Sequence, residues 1–274
     1  MAVSMQDITH LRKMTGAGMM DCKKASEESQ GDFDKAIEII RKKGQAVAAK
    51  RSDREAAEGC VLAAAKDGFA AIVAVKCETD FVAKNEDFVA LTQQILDLAM
   101  EKKPADAEEL KTLAFADGRT VADHIIDRSG ITGEKMELGA YLFVKDAATI
   151  SYIHPGNKLA TVVAFNEAAD NQVARDVAMQ VAAMNPLGLT PESVPAHLVE
   201  QEKEIARDKA RQAGKPEELL DRIAEGSLNK FYKENTLLMQ DSVKNAKETV
   251  EQMMQKASKT LTATDFKRFT LNED

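Results

Sequence analysis

The sequence predicts an α+β protein, and two kinds of periodicity support that prediction. Apolar residues recur at helical spacing near the N-terminus and again in several later stretches. Short apolar runs with strand character flank two turn signals, Asp67-Gly68 and His154-Pro155-Gly156-Asn157. An amphipathic helix follows each of these strand pairs, so we expect antiparallel hairpins packed with helices.

Composition excludes several classes of protein. The chain has 274 residues, of which 44% are hydrophobic, and its net charge of −8 argues against DNA or RNA as the main partner. Cys22, Cys60 and Cys77 form no C-x-x-C pair. No apolar run reaches the ~18 residues of a membrane-spanning helix, and the N-terminus lacks a signal-peptide core. We therefore expect a cytoplasmic protein without a metal site or cofactor, and without a membrane or nucleic acid as direct partner.

Residues 1–51 predict a module of three short helices. Ser4 is a suitable N-cap for the first helix, and the second begins at Met19 after the turn Thr15-Gly16-Ala17-Gly18. The third is expected to end at Gly44, since glycine is common just beyond a helix, and the Ala-rich residues after it suggest an extension or a linker. The Gly-Ala-Gly sequence lacks the third glycine and the preceding strand of a dinucleotide-binding loop, so we interpret it as a helix–helix turn.

Residues 59–100 and 136–185 follow one plan, in which a short loop joins a hairpin to an amphipathic helix. The second stretch opens with an alternating strand that starts at Met136. The residues that align between the two stretches are Val73 with Val162 and Glu78 with Glu167. We therefore predict an internal duplication of the core.

Residues 192–236 differ from the core because they are dense in charge and poor in bulky apolar side chains. Gly214-Lys215-Pro216 interrupts them, with glycine where one helix should stop and proline where the next should start. This pattern predicts an antiparallel helical hairpin, which could form a homodimer with a second copy of the chain, contact the partner or simply protrude. The apolar residues between Val243 and Ala257 predict one more helix, and 264–271 predicts a final strand.

Residues Thr79-Asp80-Phe81-Val82 are the sharpest candidate site. They place an acidic residue beside an aromatic one in the loop that leaves the first hairpin. The alternative is structural: Phe81 would close the core, and Asp80 would cap the next helix. The equivalent place in the second stretch holds Ala168-Ala169-Asp170-Asn171, without an aromatic residue. A requirement of the fold should appear in both copies, so the difference favours a binding role.

Two further candidates lie elsewhere. Met19 and Met20 begin the second helix, and one interpretation places the pair partly in the core of the three-helix module. Adjacent helical residues point about 100° apart and cannot both face inward, so one of the two should be exposed to a partner. His154 lies in a turn, where it is either a solvated residue or a partner contact. The sequence contains no P-loop motif, and no nucleophile–base arrangement can be identified, so we expect a binding protein and not an enzyme.

Two long motifs in these regions resemble signatures of the elongation factor Ts family. The first comprises Leu11-Arg12 and Thr15-Gly16-Ala17-Gly18-Met19-Met20-Asp21-Cys22-Lys23-Lys24-Ala25, and the second is Cys77-Glu78-Thr79-Asp80-Phe81-Val82-Ala83-Lys84-Asn85. Shorter matches include Tyr152-Ile153-His154, Gly214-Lys215-Pro216 and Lys230-Phe231-Tyr232. The chain departs from the family pattern at Ser26, where leucine is usual, and at Asn157-Lys158, where Gly-Arg is usual.

The resemblance implies a fold that agrees with the periodicity. It consists of an N-terminal ubiquitin-associated-like (UBA-like) three-helix module, a duplicated α+β core and an inserted antiparallel helical hairpin. The expected boundaries are 1–51 for the module, 52–135 for core subdomain N, 136–189 for the first part of core subdomain C, 190–236 for the coiled-coil-like hairpin and 237–274 for the helix and strand that complete core subdomain C.

The resemblance also implies a function in translation, namely guanine-nucleotide exchange on elongation factor Tu. Residues Thr79, Asp80, Phe81 and Val82 would then act beside the Mg²⁺ and phosphates of the bound nucleotide. The residues that would dock on the GTPase are Met19, Met20, Asp21 and Lys23, with His154 as a second contact.

A passive adaptor is the alternative from another class. In that case the three-helix module binds a helical or ubiquitin-like partner, the helical hairpin dimerises the chain, and nucleotide release from a GTPase is unaffected. An enzyme would need a pocket with convergent polar groups, and the sequence offers no candidate.

Overall fold

A computed structural model describes residues 4–272 of the chain. The chain divides into two compact units. Among the described residues, the first contains 4–62, 73–141 and 271–272, and the second contains 63–72 and 142–270. Helices and antiparallel strands both contribute, so the predicted α+β class is confirmed.

The elements follow one another in chain order. The α-helices are α1 Met5–Thr15, α2 Met19–Glu28, α3 Phe33–Lys50, α4 Asp80–Ala83, α5 Glu86–Lys102, α6 Ala107–Thr112, α7 Val121–Thr132, α8 Asn171–Met184, α9 Ala196–Gln212, α10 Glu217–Asn235 and α11 Val250–Ala257, with one 3₁₀ turn at Pro191–Ser193. The strands are β1 Glu58–Lys66, β2 Phe69–Cys77, β3 Glu137–Lys145, β4 Ala148–Ile153, β5 Leu159–Phe165, β6 Asp241–Ser242, β7 Asn245–Thr249 and β8 Ala263–Thr270.

Helices α1, α2 and α3 begin where the sequence predicts. The Ser4 hydroxyl accepts a hydrogen bond from the Asp7 amide while the Asp7 carboxylate accepts one from the Ser4 amide, so a capping box starts α1. Gly16, with a left-handed φ of 70°, ends the helix. The three helices pack around a small apolar core formed by Ile8, Leu11, Ala17, Cys22, Ala25 and Ala36.

The end of α3 differs from the expectation. The helix does not stop at Gly44 but continues to Lys50, so the prediction of a helical extension is confirmed for residues 45–50 and Gly44 is a buried residue in the helix interior. A Cβ atom on Gly130 of α7 would lie closer to the Cα of Gly44 than real Cβ contacts allow. The glycines therefore let α3 and α7 cross at short range, a reason that local sequence does not reveal.

The first sheet has the strand order β1-β2-β3. Asp67 and Gly68 both have positive φ angles, 50° and 71°, as the tight turn of a two-residue hairpin requires, so the predicted hairpin is confirmed. The strand that starts near Met136 is β3, and it pairs with β2. The expectation that it opens a second sheet was wrong, because an alternating pattern identifies a strand but not its neighbour.

The second sheet has the order β4-β5-β8, with antiparallel pairing throughout. The turn at 154–157 joins β4 to β5, and β8 is the predicted final strand. Helix α8 lies against this sheet, and the buried hydroxyl of Thr161 donates to the Ala178 carbonyl at 2.8 Å. Val163, Phe165, Val177, Val181, Leu237, Val250, Met254 and Leu261 belong to the apolar core of this second unit.

Helices α9 and α10 form the predicted hairpin. Gly214 adopts a left-handed φ of 71°, and the amide of the next residue, Lys215, donates to the Ala210 carbonyl at 3.0 Å, which terminates α9. Ion pairs then join the two helices, Arg207 with Asp221 at 2.9 Å and Arg211 with Glu217 at 3.2 Å.

The sequence pattern placed Val243 in the last helix, and that prediction was wrong. Val243 lies between β6 and β7, where its amide donates to the buried Gln180 side chain at 2.8 Å. The helix begins later because Thr249 and Gln252 form a capping box at its start. Within residues 4–272, no helix combines the length and the apolar character needed to cross a bilayer.

Candidate functional site

Phe81 points away from the protein that carries it. It lies on α4, a helix of four residues, and is 84% exposed, whereas the neighbouring Ala83 is buried. The next aromatic residue, Phe88 on α5, is 1% exposed and belongs to the buried core. The alternative in which Phe81 closes the core was therefore wrong.

Thr79 caps this short helix. Its hydroxyl accepts a hydrogen bond from the Val82 amide at 3.4 Å. Asn85 then caps α5 by accepting from the Asp87 amide at 2.9 Å. Asp80 therefore does not cap the following helix, because Asn85 occupies that position.

Glu134 fixes the backbone just before α4. One carboxylate oxygen accepts hydrogen bonds from the amides of Glu78 and Thr79, both at 3.1 Å, and the other accepts from the Thr79 hydroxyl at 2.6 Å. The Thr79 hydroxyl thus donates to Glu134 while it accepts from Val82. These bonds to an ionised group are the strong type of protein hydrogen bond.

Glu78 also anchors this segment, but here the segment supplies the carboxylate and the distant residue supplies the backbone amide. Its carboxylate accepts from the Lys135 amide at 2.6 Å and pairs with Arg54 at 3.1 Å and Arg51 at 3.4 Å. The backbone hydrogen bond from Lys135, with further help from Arg54 and Arg51, holds the pKa of Glu78 below its ordinary value. The group is therefore an anion at neutral pH.

Asp80 and Val82 frame the exposed ring. Asp80 forms an exposed ion pair with Lys84, one helical turn later, at 2.7 Å. The hydrogen bond to Asp80 raises the pKa of Lys84. Val82 is half-buried, so Phe81 lies between an apolar side chain and a carboxylate that is paired with Lys84.

The thiol of Cys77 lies at the base of this segment. Burial, reinforced by the nearby Glu134 carboxylate, raises the pKa of Cys77 to about 12. The thiol therefore stays protonated and donates to the Thr79 carbonyl at 3.3 Å. Among residues 4–272, no group of three or more His, Cys, Asp or Glu side chains is arranged to hold a metal ion.

The two methionines of α2 are both on the surface. Met20 is 64% exposed and Met19 is 37% exposed, while Cys22 and Ala25 face the helical core. Adjacent residues could not both face inward, and in this helix neither does. Asp21 forms an ion pair with Lys43 of α3, and Lys23 lies 3.8 Å from Glu27.

Ser26, where the family usually has leucine, is buried in the same helix. Its backbone carbonyl accepts a hydrogen bond from the Ser29 hydroxyl at 3.2 Å. The departure from the family pattern therefore falls on the inner face of α2 and leaves the exposed face with Met20 unchanged.

His154 is exposed in its turn in the second unit. Its Nδ1 atom lies 3.1 Å from the Tyr152 hydroxyl, and its backbone amide donates to the Leu159 carbonyl at 2.9 Å. Asn157 has a φ of 55°, in the left-handed region that asparagine tolerates, which explains how it replaces the usual glycine. A solvated turn residue and a partner contact both require this exposure, so both interpretations remain.

Residues 79–82 and the α2 residues belong to the first unit, and His154 belongs to the second. Sequence reasoning missed Glu134 and Lys135, which contact the segment from more than 50 positions away along the chain. A glycine that ends α7, Gly133, was the local signal of a turn there, but it does not indicate what the next side chain binds.

Comparison with known proteins places these features in a family. The model described as Elongation factor TS matches residues 78–273, which include Glu78, Phe81 and Glu134. The chain belongs to the elongation factor Ts family. Elongation factor Ts of Porphyromonas gingivalis is 70% identical over 274 residues, with all of both chains covered. The elongation factor Ts proteins of Azobacteroides pseudotrichonymphae and Bacteroides thetaiotaomicron are 56% and 45% identical, with 99% and 100% of each chain covered.

Proposed function

We propose that this chain is a cytoplasmic guanine-nucleotide exchange factor for elongation factor Tu, and that Phe81 disturbs the Mg²⁺ and phosphate site of that GTPase. Membership of the elongation factor Ts family supports the partner. The observation that carries the mechanism is the 84% exposure of Phe81 on a short helix whose backbone is fixed by Glu134 and Thr79. An exposed aromatic residue on a rigid support is a typical binding anchor.

The energetics indicate how much one ring can contribute. An exchange factor must bind the empty GTPase more tightly than the GDP form, and this coupling is reciprocal between the two ligands. Lowering the affinity of the GTPase for GDP a hundredfold requires a coupling free energy of about 2.7 kcal/mol. Burying one Phe side chain supplies about 1.5–3 kcal/mol. Phe81 is therefore large enough to matter, and a wider docking surface must hold it in place.

Some of the other candidate residues would help to disturb the nucleotide site, and the rest would dock the chain on the GTPase. Asp80 would place a carboxylate near the phosphates and the metal ion, where like charge repels phosphate, and Thr79 and Val82 would shape the surface around the ring. Met19 and Met20, with Asp21 and Lys23, would dock on the GTPase domain, and His154 would add a contact from the second unit. The mechanism requires no proton transfer.

Phe81→Ala tests the mechanism directly. We expect the maximal rate of labelled GDP release from elongation factor Tu to fall at least about tenfold, equivalent to 1.4 kcal/mol, because most of the buried apolar surface is lost. The measurement is stopped-flow fluorescence at increasing concentrations of this chain. Leu219→Ala is the control, since Leu219 is an exposed apolar residue on α10, 41% exposed, and its loss should leave the rate unchanged. A Phe81→Ala rate equal to that of the unmodified chain would refute the proposal.

Met20→Asp tests docking separately. We expect the affinity for nucleotide-free elongation factor Tu, measured by calorimetry, to fall about tenfold, because a charge replaces an apolar contact in the interface. Met5→Asp is the matched control, since Met5 is 63% exposed at the start of α1, where a carboxylate suits the helix dipole. Equal affinities for the two variants would remove α2 from the docking surface. Tight binding by the unmodified chain with no change in GDP release would instead support the passive adaptor.

A further inference from the structure

Glu134 contacts the segment that carries Phe81. It lies outside the sequence motif of residues 77–85 that contains Phe81. We infer that Glu134 is a positioning residue for nucleotide exchange, which acts by holding Phe81 in the orientation that the GTPase meets. The inference rests on the proposed function, because it assigns a role to Glu134 only through Phe81. It follows from the direction of the hydrogen bonds, from the length of α4 and from the exposure of the ring.

The hydrogen bonds between the two segments are reciprocal. The Glu134 carboxylate accepts from the amides of Glu78 and Thr79, and the Glu78 carboxylate accepts from the amide of Lys135. Each segment thus supplies an anion to the backbone of the other. Such a pair fixes the relative position of two backbones, and not merely the side chains that form it.

Glu134 is itself held in place by the end of α7. Gly133 ends that helix with a φ of 74°, and its amide donates to the Ser129 carbonyl at 2.9 Å. The amide of Glu134 donates to the Thr132 hydroxyl at 3.3 Å. The carboxylate is therefore presented from an ordered helix terminus rather than from a free loop.

Phe81 needs such external support because neither its short helix nor the contacts of its own side chain can orient it alone. A helix of four residues is far too short to be stable by itself. The ring is 84% exposed, so its own contacts cannot fix its direction. Besides the buried Ala83 and the contact of α4 with α5, the orientation of Phe81 depends on the backbone at Glu78 and Thr79, and both of these amides bind Glu134.

The same contacts connect the segment to the helices proposed for docking. Helix α3, which packs with α2, crosses α7 at Gly44 and Gly130 and ends beside Arg51, whose side chain pairs with Glu78. Helices α3 and α7 therefore both end beside the segment before α4: α3 contacts it through Arg51, which pairs with the Glu78 carboxylate, and α7 contacts it through Glu134, which accepts from the Glu78 amide. Within the first unit, α3 and α7 therefore connect the helix proposed for docking, α2, to the segment that carries Phe81.

Glu134→Ala is the first variant to measure. We expect the maximal rate of labelled GDP release from elongation factor Tu to fall about tenfold, which corresponds to 1.4 kcal/mol. The concentration of this chain that gives half the maximal rate should change less than about twofold, because the α2 surface is untouched. A structural role alone would reduce the folded fraction, seen by circular dichroism, without lowering the maximal rate at saturation, and that result would overturn the inference.

Two conservative variants separate side-chain length from charge. Glu134→Gln keeps the length, so its oxygen can accept from both amides while its NH₂ group donates to the Thr79 hydroxyl. Glu134→Asp keeps the charge but is one methylene shorter and cannot reach all three donors. We expect Glu134→Gln to retain most of the maximal rate and Glu134→Asp to lose most of it, and the reverse order would contradict the inference. If Glu134→Ala does not fold, this pair carries the test.

A double-mutant cycle with Phe81→Ala completes the experiment. If Glu134 acts through Phe81, adding Glu134→Ala to Phe81→Ala should lower the maximal rate no further, whereas independent effects would multiply and refute the inference. The proposed function has its own failure: an unmodified chain that does not accelerate GDP release, or a fully active Phe81→Ala variant. A slow Phe81→Ala variant beside a fast Glu134→Ala variant would leave that function intact and overturn the positioning role alone.

Discussion

Two segments of the molecule each lead from an antiparallel hairpin to a long helix, and only one of them carries an exposed aromatic residue. Residues 78–85 connect β2 to α5, and residues 166–170 connect β5 to α8. In both segments an early glutamate accepts hydrogen bonds from a distant part of its own unit. The first segment also contains α4 with the exposed Phe81, whereas the sequence of the second has no aromatic residue. Anchoring is therefore common to both segments, while the ring is an addition that folding does not require.

The donors to the two glutamates also differ in kind. Glu78 accepts from a backbone amide and pairs with two arginines, whereas Glu167 accepts from the hydroxyls of Ser258 at 2.6 Å and Thr260 at 3.0 Å. Charged partners leave a larger penalty than neutral ones when the acceptor is removed. The segment that carries Phe81 is thus held more strongly than its counterpart.

The largest effect on stability is expected when the glutamates that anchor the two segments, Glu78 and Glu167, are replaced one at a time. Glu78→Ala should lower the free energy of unfolding by about 1.5 kcal/mol, mainly because the Lys135 amide loses a charged acceptor, whereas water can solvate the partly exposed Arg51 and Arg54. Glu167→Ala should cost about 1 kcal/mol, since only hydroxyl donors lose their partner. Urea unfolding followed by circular dichroism measures both.

The same two variants should separate in function. Glu78→Ala should also slow GDP release from elongation factor Tu about fivefold, because the backbone before Phe81 loosens. Glu167→Ala should leave the rate unchanged at concentrations where the chain is folded. Equal losses of rate in both variants would show that the two segments contribute alike, and the contrast between them would fail.

A smaller effect is expected at the helix crossing that supports the first segment. Gly130→Ala should lower the free energy of unfolding by about 1 kcal/mol, because the new methyl group meets the Gly44 backbone and outweighs the gain in helix propensity. Gly226→Ala in α10 is the matched control, since nothing among the described residues lies within 4 Å of a Cβ atom at that position. It should raise the free energy of unfolding by about 0.5–1 kcal/mol. Thermal unfolding that ranks the variants in the opposite order would contradict the close crossing.

The smallest effect is expected in how the free energy of unfolding depends on pH through the Glu78 carboxylate. The pKa of Glu78 is lower in the folded chain than its ordinary value of 4.5, mainly through the hydrogen bond from the Lys135 amide. Its ionised form therefore stabilises the fold above that value, and the contribution is lost as the pH falls through the lowered pKa. The difference in unfolding free energy between the unmodified chain and Glu78→Gln should shrink on going from about pH 7 to about pH 3. A difference that stays constant over this range would indicate that the carboxylate charge contributes nothing.

Local sequence signals predicted much of the fold. The capping residue Ser4, the Asp67-Gly68 turn and the Gly214-Lys215-Pro216 break each act within a few residues, so a single sequence reveals them. Gly44 was misjudged because its reason for being glycine is Gly130, far along the chain. Long-range partners of this kind, like the pairing of β3 with β2, leave no local pattern.

The candidate site divides in the same way. The exposure of Phe81 followed from comparing two stretches of sequence, because an aromatic residue present in one copy is not a requirement of the fold. Comparing the two stretches could not identify the residues that hold the backbone of Phe81. Glu134 is one acidic residue among many, and its partners Glu78 and Thr79 lie more than 50 positions away. Periodicity identifies elements, but it does not report which side chains meet between them.

The chain contains no tryptophan, and Phe81 is 84% exposed. An indole placed at position 81 would therefore be the sole such fluorophore in the chain, and it would be surrounded by water in the unbound state. Its emission should shift to shorter wavelength when another surface displaces that water, so the arrival of a partner could be followed in real time by light from a single ring.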